Sequence, residues 1–296
     1  MTGPLRPAVI SLTGDRADNQ DRCLWRRSGD RWLLALADGM GGHARGELAA
    51  EAFIDTLAAA FARWPRGLAA PDFLRRAFSR AHAAVVASGQ TQRPPVHPLT
   101  TGVACVVEQD RLHCAHLGDS RCYLLRRGRI LVRTRDHTPV ARLLAQGIIT
   151  PAEARRHPLR NQVNRCLGGQ GGPWPPTLTP PCPLQPGDLI LLCSDGLWNG
   201  VDERALARLA RAGDLSRAGL ALARQAVRAA APSADNASLL AWRWQAGPAA
   251  ARPAGPTPPA AQAQGARPSL DQAIAQLQEA LAEYGPEMEA ARRRGG

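Results

Sequence analysis

The sequence predicts an α+β domain built on antiparallel sheet, and three observations carry that prediction. Short apolar runs at Val103–Val107, Leu112–Leu117, Cys122–Leu125 and Ile130–Val132 are separated by the turn pairs Gln109–Asp110 and Arg127–Gly128. Strands joined so tightly form hairpins. Ala-rich segments over 44–63 and 71–88 carry apolar residues at helical spacing, as does 217–230. Further apolar strands stand at Trp32–Ala37, Leu189–Cys193 and Leu239–Trp244. Helices flanking antiparallel strands indicate α+β and not a doubly wound parallel sheet.

The 296 residues suit one large domain with an appendage, and a 45% hydrophobic content is enough for a sizeable core. Residues 1–246 read as that domain. Residues 247–268 are dense in Pro, Ala, Gly and Gln, a linker composition. Residues 269–296 read as a short amphipathic helix and a basic tail. Ser269 and Gln272 fit a capping box, Leu270, Ile274, Leu277, Leu281 and Tyr284 form one stripe, and Gly285–Pro286 stops the helix. That helix suits docking on its own domain or association with a partner; otherwise a monomer is expected. No apolar run reaches the roughly 18–20 residues that span a bilayer. The N-terminus lacks the pattern of a secretory signal. A soluble, cytoplasmic protein with no membrane contact is expected.

The net charge is +12, and all 37 basic residues are Arg. Such one-sidedness points to codon bias more than to a selected basic surface. No nucleic-acid module is recognisable, so nucleic acid is not expected as a partner. The seven cysteines, at 23, 105, 114, 122, 166, 182 and 193, are odd in number and form no CxxC. Neither a disulfide framework nor a Cys-rich zinc site is expected from that spacing. His113 and His116 are three apart on a strand and face opposite sides, which argues against a shared ion.

Aspartates recur where strands end. Asp38 follows an apolar strand in ALADGMGG, Asp119 another in HLGDSR and Asp195 a third in LLCSDGLW. Asp235 precedes a fourth in SADNASLL, and Asp21 lies in RADNQD. Carboxylates gathered at one end of a sheet repel one another unless cations sit among them. Hard oxygens without His or Cys select Mg²⁺ or Mn²⁺.

The ordered segments GDRADNQD (14–21), LADGMGGHARGE (36–47), TTGVAC (100–105), LGDSRCYLLRRGRI (117–130), RDHT (135–138), HPLRNQVNRCLGG (157–169), GDLILLCSDGLWNGV (187–201) and ADNASLL (234–240) resemble the metal-dependent, type-2C (PPM) serine/threonine protein phosphatases, in a bacterial form. The resemblance runs over roughly 8–244. It implies a four-layer α-β-β-α sandwich with two central antiparallel sheets. It implies two core cations, Mn²⁺ or Mg²⁺, and a third seen in bacterial relatives. Asp38 would bridge the two core cations and the Gly39 carbonyl would complete one site. Asp195 and Asp235 would ligate the other, Asp119 with Asp195 the third, and Asp21 would act through water. Arg16 would bind phosphate. The position that often holds His in eukaryotic relatives is Met40, which leaves His43, or a water, as the proton donor to the leaving group. Asn236 would orient its loop, Gln20 replaces the commoner Glu, and 151–183 would form a flap beside the site. RDHT, by contrast, reads as a cap for a helix starting near Pro139. No Cys-x5-Arg signature of a thiol phosphatase occurs.

The implied function is hydrolysis of phosphoserine and phosphothreonine in proteins by metal-activated water, opposing a serine/threonine kinase. The alternative is a catalytically silent module that binds phosphoproteins.

Overall fold

The computed structural model describes residues 6–40, 45–169 and 172–245. The linker and tail helix expected over 247–296 lie outside the described residues. The chain opens with β1 (Ala8–Leu12), β2 (Asp21–Ser28) and β3 (Arg31–Met40), followed by α1 (Gly46–Ala62) and α2 (Ala70–Gln90). Five strands follow: β4 (Leu99–Thr100), β5 (Gly102–Glu108), β6 (Arg111–Leu117), β7 (Arg121–Arg126) and β8 (Arg129–Arg133). Short helices α3 (Pro139–Ala145) and α4 (Pro151–Arg156) precede β9 (Leu167–Gly168), β10 (Thr177–Leu178), β11 (Cys182–Pro183) and β12 (Leu189–Cys193). The described chain ends with α5 (Asp195–Trp198), α6 (Glu203–Arg211), α7 (Leu215–Ala230) and β13 (Ala237–Arg243).

Tight turns set the topology. Gln109 and Asp110 adopt φ of 50° and 58°, and Arg127 and Gly128 adopt 50° and 79°. Two left-handed residues in succession match the twist of a two-residue hairpin. The strands form two antiparallel sheets. One has the order β1-β13-β12-β7-β8, and the other β10-β6-β5-β3-β4-β9, with β2 paired to β3 and β11 to β6.

Three buried apolar layers define the expected sandwich. Leu33, Ala35 and Ala37 of β3 face α1 and α2, where Phe53, Leu57, Leu74 and Phe78 are buried. Each such large side chain contributes about 1.5–3 kcal/mol of burial free energy. The alternate residues Trp32, Leu34 and Leu36 face the other sheet and meet Leu124, Ile190, Leu192 and Trp242. On that sheet's outer side, Leu191, Leu239 and Ala241 pack under Leu206 and Leu209 of α6 and Leu222 and Ala223 of α7. Both faces of the central strands are therefore covered, which is why they read as continuous apolar runs.

The RDHT segment caps the helix that begins at Pro139, as expected, though through one residue. Only Thr138 caps α3, accepting from the Ala141 N–H at 3.0 Å. Asp136 instead pairs with Arg121, and His137 Nδ1 accepts from the Gly118 N–H at 3.1 Å. Among the described residues no helix is long and apolar enough to cross a membrane.

Candidate active site

All the aspartates singled out in the sequence lie where strands of the two sheets begin or end. Asp38 and Gly39 are near the end of β3, and Asp21 opens β2 directly opposite Asp38 in register. Asp119 occupies the connection from β6 to β7, where the chain passes from one sheet to the other. Asp195 follows β12, and Asp235 stands two residues before β13. His43 lies outside the described residues.

Backbone constraints hold this cluster. The Asp38 carbonyl accepts from the Thr101 N–H and the Thr100 hydroxyl, each at 2.9 Å. Gly39 permits close contact between β3 and α1, since a Cβ there would meet the Gly46 carbonyl oxygen at 2.3 Å. Gly196 does the same between Asp195 and the approach to β13. Asn236 ties the 13–20 loop down. Its side-chain amide donates to the carbonyls of Thr13 and Asp18, and its oxygen accepts from the Gln20 N–H at 2.8 Å. That loop carries Arg16, whose guanidinium forks onto both Asp235 oxygens at 3.0 and 2.8 Å. The pair is half-exposed at the rim, and the hydrogen bond to Asp235 raises Arg16 above its ordinary value.

Deeper in, charge is crowded. Asp21 is buried; one oxygen accepts from the Ser194 hydroxyl at 2.8 Å, and Oδ1 has no partner. Burial, then the charges of Asp195 and Asp235, push its carboxyl up to about 7 despite help from the serines at 194 and 238. Asp38 is driven well above the carboxylate range by burial and by Asp21, Asp195, Asp119 and Asp235 in turn. Asp119 rises through burial and Asp195, while Asp195 is held at about 6 by burial and Asp235, moderated by a hydrogen bond with Asp38. Like charges this close cannot all ionise without a counter-charge.

The donors fit hard divalent cations. They are all carboxylate and carbonyl oxygens, without His or Cys, and a buried carboxylate oxygen is left without a partner. Sequence reading missed the support around them: Ser194 beneath Asp21, the two threonines on Asp38, and Trp198, whose indole N–H donates to the Asp119 carbonyl at 2.9 Å. Ser194 and Trp198 flank Asp195 in SDGLW, which was the available signal. Beside Trp198 opens a cavity of about 880 Å³ between α3, α4 and α6, lined in part by Arg133, Arg135, Arg155 and Arg160.

Known proteins similar to this chain are phosphatases. A family model described as protein phosphatase 2C matches residues 13–217. The serine/threonine protein phosphatase PstP of Mycobacterium tuberculosis is 39% identical over 228 residues, 76% of this chain and 42% of PstP. The chain thus spans less than half the length of that relative. The serine/threonine phosphatase stp of Listeria monocytogenes is 34% identical over 174 residues, 58% of this chain and 68% of stp. Among solved structures, the catalytic domain of PstP in complex with two manganese ions superposes with a TM-score of 0.67 at 37% identity, covering 80% of this chain and 97% of that one.

Proposed function

Given that the chain belongs to the protein phosphatase 2C family, we propose that it is a metal-dependent phosphatase acting on phosphoserine and phosphothreonine in proteins. The carrying observation is the carboxylate set Asp21, Asp38, Asp119 and Asp195, of which Asp21 and Asp119 are buried and Asp38 and Asp195 half-buried, all raised by desolvation and by one another, at the rim of which Arg16 stands. Asp38, the Gly39 carbonyl, Asp195 and Asp235 would hold two cations, Mn²⁺ or Mg²⁺. Asp119 with Asp195 offers a place for a third, and Asp21 would act from behind through water. When bound, such cations polarise phosphoryl oxygens and acidify water enough for attack at neutral pH.

The chain's own groups do the rest. Arg16 offers a planar fork of donors to phosphate oxygens and fixes the ester's orientation. Its present partner, Asp235, competes for that fork, so Arg16 must leave Asp235 to hold a substrate phosphate. Ser194 donates to the Asp21 carboxylate, Thr100 and Thr101 fix the Asp38 backbone, and Asn236 ties down the loop that carries Arg16. His43, or water, would return a proton to the leaving oxygen. The arginines around the cavity beside Trp198 suit phosphoproteins that carry acidic residues near the phosphoacceptor. Such substrates would be made by a serine/threonine kinase, and a cytoplasmic setting, where ATP is available, goes with that reading.

The test is hydrolysis of an aryl phosphate and of a phosphoseryl peptide with Mn²⁺ and with EDTA. Turnover that requires Mn²⁺ and vanishes in EDTA supports the reading. A folded protein that binds the phosphopeptide and never hydrolyses it would establish the silent module instead.

A further inference from the structure

Three of the seven cysteines come together in the layer between the sheets. Cys105 on β5 and Cys114 on β6 are directly opposed in register, and Cys122 projects from β7 of the other sheet. Their sulfurs all lie within 4.8 Å of one another, with Cys105 and Cys122 at 3.3 Å. Each residue is at most 1% exposed. Ordinary non-bonded packing places heavy atoms at about 3.5–4.0 Å, so the shortest of these contacts is closer than simple packing. Thiolates bound to one tetrahedral zinc, with Zn–S of about 2.3 Å, stand roughly 3.8 Å apart. That spacing falls inside the observed range.

A fourth donor shares the same face. His116 is two residues from Cys114 on β6, so its ring also points between the sheets, and it is 1% exposed. It hydrogen-bonds the Gly118 backbone, while its Nδ1 has no partner. A ring whose Nε2 donates to a backbone carbonyl presents a bare lone pair at Nδ1, the arrangement typical of metal-ligating histidines. His116 lies outside the group that the three sulfurs form and stacks on His137 at 4.5 Å, so its ring must turn inward to reach a shared ion.

We propose that Cys105, Cys114 and Cys122 bind one zinc ion between the two sheets, with His116 closing the tetrahedron when the ion is in place. Binding releases the three thiol protons and involves no redox step. The site differs in chemistry from the carboxylate cluster: soft sulfur and imidazole select zinc where carboxylates select Mg²⁺ or Mn²⁺. It is closed to solvent, so the ion must enter while the chain folds, as is usual for structural zinc. Cys114 and His116 precede Asp119 and Cys122 follows it, so the ion would clamp the turn that presents Asp119.

The test needs no activity measurement and stands apart from the phosphatase reading. The full chain is produced in zinc-supplemented medium, dialysed against EDTA to strip the carboxylate site, and its metal measured by mass spectrometry. A second sample is refolded with Co²⁺ alone, and its near-ultraviolet spectrum is read for a thiolate-to-cobalt band, which oxygen ligands do not give. About one zinc per chain should survive EDTA and the cobalt band should appear, and Cys122→Ser should reduce retained zinc by roughly tenfold or more. EDTA-treated wild-type protein without zinc, or a cobalt form without the thiolate band, overturns the proposal. So does an unreduced wild-type mass two hydrogens light with Cys105 and Cys122 linked in its peptide map, which would show a disulfide in place of the ion. Should Cys122→Ser not fold, the two wild-type measurements decide alone.

Discussion

Gly196→Ala should loosen the candidate metal site without touching any carboxylate. A Cβ at this position would lie 2.2 Å from the Asn236 carbonyl oxygen and 3.2 Å from the Asp235 Cβ. Non-bonded contacts settle near 3.5 Å, so the Asp195 turn and the approach to β13 must part by roughly 1 Å. Asn236 resists that movement because its side chain is bonded to the loop at Thr13, Asp18 and Gln20. The displacement therefore falls on the separation of Asp195 from Asp235. Magnesium-type coordination at about 2.0–2.1 Å tolerates little misplacement. Disturbing the support of a ligand typically costs about 10–100-fold in metal affinity. The strain also lowers stability by about 1–3 kcal/mol. The assay is Mn²⁺-dependent hydrolysis of an aryl phosphate, with thermal unfolding to show that the variant is folded. The Mn²⁺ concentration for half-maximal rate should rise about 10–100-fold. A value within twofold of the parent, in a folded variant, refutes the reasoning.

Other perturbations separate the electrostatic roles. Asp38→Asn should abolish hydrolysis yet raise the melting temperature of EDTA-treated protein at neutral pH. The folded-state pKa of Asp38 lies above its unfolded value, so the parent loses stability as pH rises from the unfolded carboxylate value near 4. The gain from Asp38→Asn should accordingly be absent near pH 4 and grow towards neutrality, read by thermal scans across pH. Arg16→Ala should raise KM for a phosphopeptide by about tenfold or more without weakening Mn²⁺ binding, since a charge-assisted hydrogen bond is worth about 1.5–3 kcal/mol and Asp235 loses its competing partner. Asp188→Ala, remote from the site, should lower unfolding free energy by about 1.5–3 kcal/mol in denaturant melts, the worth of charge-assisted hydrogen bonds whose partner Arg126 can still reach water. Asp188 is 1% exposed and holds the Arg126 fork at 2.8 Å on both oxygens.

Much of this molecule is legible in its sequence, and the missing parts share a cause. The strands from β5 to β7 and β12 are legible to within a residue or two because most of their residues are buried on both faces, and the edge strand β8 because the left-handed Arg127–Gly128 turn sets it off. Strand β1 is not, because it lies at a sheet edge and its burial alternates with exposed residues such as Val9. Strand β2 is hidden because Arg22, Arg26 and Arg27 obscure its apolar pattern. Helix α6 escapes notice although Asp202 caps it and Leu206 and Leu209 mark its buried face. The aspartates are legible because each stands next to its own strand. Their scaffolding is not: Ser194 reaches Asp21 across 173 residues, and only sheet register brings them together. The thiol cluster escapes for the same reason, since its members come from three strands with no metal-binding spacing along the chain.

The central claim is that the buried carboxylates are a binding site for divalent cations that makes hydrolysis possible. The most direct measurement is a calorimetric Mn²⁺ titration of EDTA-stripped protein, run beside Asp38→Asn and followed by phosphopeptide hydrolysis on the same samples. The account predicts Mn²⁺ binding and turnover in the parent, with both lost together in the variant. Full turnover in Asp38→Asn, or turnover by the parent with no cation bound, would contradict it.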